Sequence, residues 1–239
     1  MSDSTRRAAL VTGGTRGIGR AIAARLAREG YTVVLSGRTR ESVNEALDGF
    51  RDEGLMVHGF PADVRREEDQ ARLVGFAEER CGRLDVLVNN AGIGAFGRVD
   101  DLSPADFREV IETNLFGPYY AIRHAVPLMK KNGGGFVVNV ASLASVNAFA
   151  GGAAYNASKF GLLGLSDAAM LDLRHDGIRV AVVMPGSVAT DWNHSHGNRD
   201  ASWMLQPEDV AEAVADLVRF PDRAIPSRLE LRPARPPKK

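Results

Sequence analysis

The chain holds a single cysteine, Cys81, among 239 residues. No intrachain disulfide can form, and a reducing, cytoplasmic setting is the expectation. Cys81 ends a helix-like stretch with no histidine partner nearby, so it reads as a small buried hydrophobe. Long apolar runs are missing as well, and none approaches the roughly 20 residues of a membrane-spanning helix. The N-terminal stretch 1–7 enters the apolar segment 8–12 directly, without the apolar core and cleavage pattern of a secretion signal. Net charge is absent: 30 Lys and Arg face 30 Asp and Glu. That balance gives no electrostatic footprint for nucleic acid or an anionic membrane surface. A metal pattern is lacking too. His194 and His196 sit in a polar loop without matched Cys, Asp or Glu and read as solvated side chains, so no metal is expected.

What is present is ordinary for a globular domain, with 44% hydrophobic and 25% charged residues. The length suits one well-buried α/β core, so residues 1–239 are expected to form a single domain. The Pro-rich, basic stretch 232–239 is expected to be an extended or disordered tail. Short apolar runs at 8–11, 32–35, 56–60, 86–88, 136–140 and 179–183 read as strands. They are apolar on both faces, as a parallel sheet covered on two sides requires. Amphipathic segments at 18–28, 41–52, 67–79, 104–130 and 154–175 read as helices between them. Gly30, Gly54, the run 133–135 and Gly177 fall where those helices end, and Pro104 after Ser103 marks a start. Such alternation predicts right-handed βαβ units in a doubly wound α/β fold.

The first strand runs into Thr12-Gly13-Gly14-Thr15-Arg16-Gly17-Ile18-Gly19, after which a helix begins. Glycines permit a tight turn and let the backbone approach a pyrophosphate, and the helix N-terminus adds unpaired N–H groups. Gly13, Thr15, Arg16, Gly17, Ile18 and Gly19 are thus candidate nucleotide contacts. Tyr155 and Lys159, four apart on a helical pattern, share one face. Ser142 follows the strand at 136–140, at the carboxyl end where open α/β sheets bind ligands.

These segments resemble the short-chain dehydrogenase/reductase family. The spacing T-G-x-x-x-G-I-G carries the likeness, with Asp63-Val64, Asn89-Asn90-Ala91-Gly92, Asn114, Ser142, Tyr155-x-x-x-Lys159 and Pro185-Gly186-x-x-x-Thr190 in the family's order. The resemblance implies a Rossmann-type fold with a seven-stranded parallel sheet. It implies that Asp63 and Val64 flank an adenine and that Asn90, Ala91 and Gly92 touch the cofactor. Pro185, Gly186 and Thr190 would lie by the nicotinamide carboxamide, with the Val188 backbone bonded to it. Asn114 would position a water that relays protons to Lys159, and Lys159 would also bond the nicotinamide ribose.

The second strand addresses which nicotinamide cofactor is used. An NAD site usually ends this strand in Asp or Glu, which bonds the ribose 2′-OH. Here it ends Leu35-Ser36-Gly37-Arg38. Arg38 can pair a 2′-phosphate in forked geometry, with Arg16 as a second cation, so NADP(H) is expected. Carbonyl reduction needs a general acid, and the reverse reaction a general base. Tyr155 fits that role, with a lysine ammonium and the cation of the oxidised cofactor favouring its phenolate. Ser142 would hold the substrate oxygen. The expected partner is a small carbonyl or alcohol substrate.

Three readings stand side by side: an active reductase or dehydrogenase, an NADP(H)-binding sensor without turnover, and an epimerase or dehydratase on this scaffold. Within the first, the chain resembles β-ketoacyl-carrier-protein reductases, but its end at 225–232 lacks their glycine-rich D-G-G segment. A final strand is still expected there. The resemblance further implies a homodimer or homotetramer built through the fourth and fifth helical regions and the C-terminal strand. Trp192 and Trp203 lie where the family covers its substrate. They read equally as pocket wall or as pins for the loop and the helix after Pro207.

Overall fold

The computed structural model describes residues 6–190 and 201–237. Seven strands form one parallel sheet: β1 (Ala8–Val11), β2 (Thr32–Gly37), β3 (Val57–Pro61), β4 (Val86–Asn89), β5 (Gly135–Val140), β6 (Ile178–Pro185) and β7 (Arg228–Leu231). Their spatial order is β3-β2-β1-β4-β5-β6-β7. The chain moves outward from β1 in one direction and then returns to continue from β4 in the other. That reversal opens a crevice at the carboxyl ends of β1 and β4. The six strands read from apolar runs are all made, within two residues at each end, and the final strand is made as well.

Alternate residues of the central strands feed two cores. Val11, Leu35, Val88, Val138 and Val183 pack with α1 (Gly17–Arg28), α2 (Arg40–Asp52) and α7 (Pro207–Arg219). Leu10, Val34, Leu87, Val137 and Val180 pack with α3 (Glu67–Cys81) and α5 (Gly117–Lys131) on the opposite face. Each fully buried Leu, Val or Phe contributes roughly 1.5–3 kcal/mol relative to exposure. Cys81 belongs to the second core, and burial pushes its thiol pKa up. It is a packing residue, as its sequence context suggests.

Two helical segments differ from their sequence pattern. The stretch 104–130 is not continuous: α4 (Pro104–Ile111) passes through a π turn at Glu112–Phe116 before α5. Pro118 lies just beyond the turn and has no N–H to give to the Asn114 carbonyl four residues back. The chain widens there, with Gly117 N–H reaching the Glu112 carbonyl instead. The second is α6 (Ala153–Leu173), which reads as amphipathic but starts buried on nearly all sides. Ala154, Tyr155, Asn156, Ser158 and Lys159 are all buried. It lies against β6, α4 and a 3-10 turn at Leu143–Ser145, so its first turns show solvent only a narrow strip, at Ala157 and Phe160. That strip is small or apolar, with Ala157, Phe160 and Gly164 exposed, so the helix start has no polar stripe to show.

The start of the C-terminal tail is anchored. Gly186 N–H donates to the Leu231 carbonyl at 2.8 Å. Pro233 also packs on Gly186, whose missing side chain leaves room for the ring. Trp192, His194 and His196 lie outside the described residues. Trp203 is half-buried.

Candidate active site

The glycine turn follows β1 and is held from β4. Thr12 Oγ1 accepts hydrogen bonds from the backbone N–H of Asn90 (3.1 Å) and Ala91 (3.2 Å). Asn90 Nδ2 donates to the carbonyls of Thr12 (3.1 Å) and Gly13 (3.0 Å). Gly13 takes φ +62°, and a Cβ on Gly19 would fall 2.2 Å from the Gly13 oxygen. Only glycine closes this turn so tightly. At Arg16, the N-cap of α1, no side chain caps the helix, and no acid occupies the first turn. Backbone donors and the positive helix end therefore face the turn unopposed, which is the arrangement that binds phosphate. Ile18 is half-buried on that turn, and Thr190 packs beside Gly17, 3.4 Å from where its Cβ would be.

The end of β2 adjoins the same turn, since a Cβ on Gly37 would lie 2.5 Å from Thr15 Cγ2. Arg38 and Arg16 are both exposed at this edge. Among the described residues neither appears in an ion pair. A cleft of about 210 Å³ opens here, lined by Thr15, Arg16, Arg20, Ser42, Glu45, Ala46 and Gly49. Asp63 lies near enough to Arg38 to feel its charge. Its carboxyl is held below the usual range chiefly by hydrogen bonds from Arg65, at 3.0 and 3.1 Å from Nε. The Asp63 carboxylate is thus engaged with Arg65, and any adenine contact forms around that pair. Val64 is buried against Gly117 at the start of α5. A larger cleft, about 410 Å³, separates α1 from α7. Arg25 and Glu212 already pair across it, and none of Ser142, Tyr155 and Lys159 lines it.

The chemical cluster forms where β5 meets α6. Ser142 Oγ accepts from the Ala144 N–H at 3.1 Å, which fixes its oxygen and directs its O–H outward. That hydroxyl hydrogen-bonds Tyr155. Burial pushes the Tyr155 phenol up, and the Ser142 bond pulls it part of the way back. Among the protein's own groups, then, Tyr155 is a weaker acid than free tyrosine. Burial therefore dominates at the phenol, and the Ser142 hydroxyl is the group that opposes it. Lys159 lies with Nζ 5.7 Å from the Tyr155 ring centroid and donates to the Val140 carbonyl at 3.0 Å. It is 4% exposed, and burial pushes its pKa down to about 8. A Cβ on Gly92 would lie 3.7 Å from that ammonium, so the loop after β4 closes over the lysine.

Asn114, fully buried in the π turn, ties this loop to α6. Its Oδ1 accepts from Ile93 N–H (2.9 Å), and its Nδ2 donates to the Ile93 carbonyl (2.8 Å) and to Ser158 Oγ (3.0 Å). Both of its N–H groups are therefore used within the protein. Ser158 Oγ in turn donates to the Tyr155 carbonyl at 2.8 Å. Beyond β6, Val188 forms a bridge with Leu205, in which Ala189 N–H donates to the Leu205 carbonyl at 2.7 Å and Leu205 N–H to the Ser187 carbonyl at 3.0 Å. Pro185 and Gly186 end β6 against β7.

Sequence reading passed over several residues of this site. Asn156 Nδ2 donates to the carbonyls of Ala144 (2.9 Å) and Asn147 (3.3 Å), fastening the loop that carries Ser142. Asn156 and Ser158 are the variable letters of Tyr-Asn-Ala-Ser-Lys, and their partners are remote in sequence or main-chain atoms. Phe96 and Phe149 flank the Tyr155 ring at centroid distances of 5.8 and 6.5 Å. Each stands alone among small residues, which was the only available signal.

Fold and site together define a class: a doubly wound α/β protein with a phosphate-type glycine turn and a serine–tyrosine–lysine centre. Comparison with known proteins narrows it. A family model described as short chain dehydrogenase matches residues 7–201, and the chain belongs to that family. It is 34% identical over 231 residues to sepiapterin reductase of Chlorobaculum tepidum, covering 94% of this chain and 95% of that protein. A crystal structure of a single-site variant of actinorhodin polyketide ketoreductase with NADPH superposes with a TM-score of 0.89 at 32% identity, over 98% of each chain. A 7α-hydroxysteroid dehydrogenase complexed with NADH and 7-oxo glycochenodeoxycholic acid gives 0.88 at 29% identity, over 94% of this chain and 92% of that one.

Proposed function

We propose that the protein is an NADP(H)-dependent oxidoreductase acting on a carbonyl or secondary alcohol, with Tyr155 as its general acid and base. The observation that carries this reading is the Ser142–Tyr155 hydrogen bond, with the Lys159 ammonium beside the same ring. NADPH supplies the hydride when bound. The residues present suit it: the tight Gly13–Gly19 turn and uncapped α1 accept a pyrophosphate, and Arg38 and Arg16 accept a 2′-phosphate. Relatives bind either nicotinamide, NADPH in one case and NADH in another. The choice here therefore rests on Arg38 standing where an NAD site carries an acid.

Ser142 has one hydroxyl proton, which can turn from Tyr155 to a substrate oxygen while Ala144 N–H holds the serine oxygen in place. Tyr155 passes its proton to that oxygen as negative charge develops there. Lys159 lowers the cost of the resulting phenolate, and its pKa of about 8 lets it exchange a proton near neutral pH. Asn114 cannot hold a relay water through its amide donors, which Ile93 and Ser158 occupy. Its main-chain carbonyl, deprived of an α-helical partner by Pro118, is the group that serves.

The test is Tyr155→Phe. Turnover should fall by about 10²- to 10⁴-fold while NADPH affinity, read by cofactor fluorescence, is retained. Near-wild-type turnover would overturn the mechanism. NADPH binding with no turnover of any ketone by the wild type would favour a sensor. We also propose self-association through α4 to α6, where Phe107, Phe116, Tyr119 and Phe160 are 40–46% exposed. Sedimentation giving only monomer would refute that part.

A further inference from the structure

Two large aromatic rings sit in the surface of the candidate site. Phe96 is 40% and Phe149 47% exposed, while the Tyr155 ring they touch is 8% exposed. Their centroids lie 6.0 Å apart with planes tilted by 41°, so they form a wedge of two inclined faces against the tyrosine. Each comes from a different loop, one following β4 and one following β5. The loops are clasped by Gly97 N–H donating to the Gly151 carbonyl at 2.9 Å and by the Gly97–Gly152 bridge. Phe149 is also braced from α6. A Cβ on Gly152 would fall 2.6 Å from its ring, and its N–H donates to Asn156 Oδ1 at 3.4 Å. The wedge is therefore held in place rather than left to swing.

The chemistry of the two loops is as informative as the rings. Residues 91–97 and 141–152 contain no ionisable side chain. The nearest cation in sequence, Arg98, is paired with Asp100 and Asp101. Lys159 is buried under Gly92 and bonded to the Val140 carbonyl. Nothing in these loops would pair a carboxylate or phosphate next to the reacting carbon. Flat apolar surface is what they offer, and aromatic faces favour a third aromatic ring in offset or edge-on contact over an aliphatic group of equal area.

We propose that Phe96 and Phe149 form the substrate-recognition wedge of this site and that its substrates are uncharged aryl ketones or the corresponding benzylic alcohols. The carbonyl oxygen lies on Ser142 and Tyr155, and the ring, one bond from the carbonyl carbon, lies in the wedge. This rests on the oxidoreductase reading for its chemistry but on the two rings for its selectivity.

The experiment compares acetophenone with cyclohexyl methyl ketone, which match in size and differ in flatness. Conjugation alters intrinsic reactivity, so the quantity read is the aryl-to-alkyl ratio of kcat/KM across variants. Phe96→Leu and Phe149→Leu should each lower that ratio by about 2- to 12-fold, and the double variant by more. Phe96→Tyr and Phe149→Tyr keep a ring and should preserve it, which separates loss of aromaticity from damage to the fold. A ratio within twofold of wild type in the double Leu variant overturns the proposal and leaves the oxidoreductase reading standing. A second readout needs no turnover: ligand-observed NMR titration of both ketones against Tyr155→Phe with NADPH. Preferential aryl binding that the Leu substitutions erase supports the wedge even if no ketone is reduced, in which case the oxidoreductase reading falls alone. Binding of neither ketone, or equal binding of both, overturns the wedge.

Discussion

Lys159 is the costliest side chain in the site, and removing it should expose that cost as a pH-dependent difference in stability. In the folded protein its pKa is lowered from 10.5 to about 8 by burial. The native state therefore binds fewer protons than the unfolded chain between pH 8 and 10.5, and stability rises with pH across that window. Below pH 8 the ammonium stays charged in a dry site, at a cost of about 3 kcal/mol. Integrating the two titrations from pH 7 to pH 10 gives a rise of about 2.5 kcal/mol. Lys159→Met keeps the length of the side chain and removes the charge, so this rise should vanish.

The measurement is urea unfolding of the cofactor-free protein at intervals between pH 7 and pH 10, with and without the substitution. Both proteins should carry Tyr155→Phe, so that the adjacent phenol does not titrate. Tyr31 and Cys81 also titrate near this window, and burial raises both. Raised acids act in the opposite sense, losing stability as pH climbs past their unfolded values. They are common to both proteins and cancel in the difference. So does the bond to the Val140 carbonyl, which shifts the variant by a constant without tilting the curve. The expected result is a difference that changes by about 2.5 kcal/mol in favour of the lysine protein as pH rises. Parallel curves would refute the buried charge. A difference of opposite slope would mean that the folded lysine has a raised pKa and an undetected anionic partner.

Other expectations are simpler. Arg38→Asp should weaken NADPH use relative to NADH by at least ten- to a hundredfold in kcat/KM, since one charge-assisted bond carries about 1.5–3 kcal/mol; a wild type that prefers NADH would contradict the reading of β2. Gly19→Ala should abolish NADPH binding, because its Cβ meets the Gly13 oxygen at 2.2 Å and Asn90 Nδ2 at 2.4 Å. Unchanged affinity by fluorescence titration would show that the turn can relax. Asn156→Ala removes the donor from the Ala144 and Asn147 carbonyls and should cost about 1–3 kcal/mol in stability. Loosening Ser142 should also lower kcat/KM in steady-state assays. An unchanged melting curve would argue that water replaces the amide.

The sheet was legible because parallel strands covered on both faces leave short, unmixed apolar runs. Residues 8–11 and 86–88 are such runs, and β1 and β4 occupy them. The helices were legible from their spacing, including the largely buried α6. Nothing in 104–130 announced the π turn, because a proline such as Pro118 within an apolar stretch reads equally as a kink or as a tolerated residue. The glycine turn, Ser142, Tyr155 and Lys159 could be found because local spacing carries them. Asn156, Ser158, Phe96 and Phe149 could not, because each acts through a partner that only folding brings near. Asn114 lies between these cases: its position was visible, but the commitment of its amide to Ile93 and Ser158 was not.

The burial of the first turns of α6 ties these observations together. Tyr155 and Lys159 are four apart, a spacing that a solvent-facing helix could equally display, yet there the lysine would be hydrated and the phenol ordinary. Here Ala154, Asn156 and Ser158 are buried as well, and the two small or amide side chains between the reactive ones bind neighbouring main chain and Asn114. The reactive face of the helix start is therefore packed in protein, and the charge of Lys159 is felt there at low dielectric. That environment raises the phenol, lowers the lysine and strengthens the effect of any cation brought near the ring. It follows that substitutions admitting water around Asn156 or Ser158 should move both titrations back toward their free values together. A variant that shifted only one of the pair would show that direct contacts, rather than shared desolvation, set the two groups.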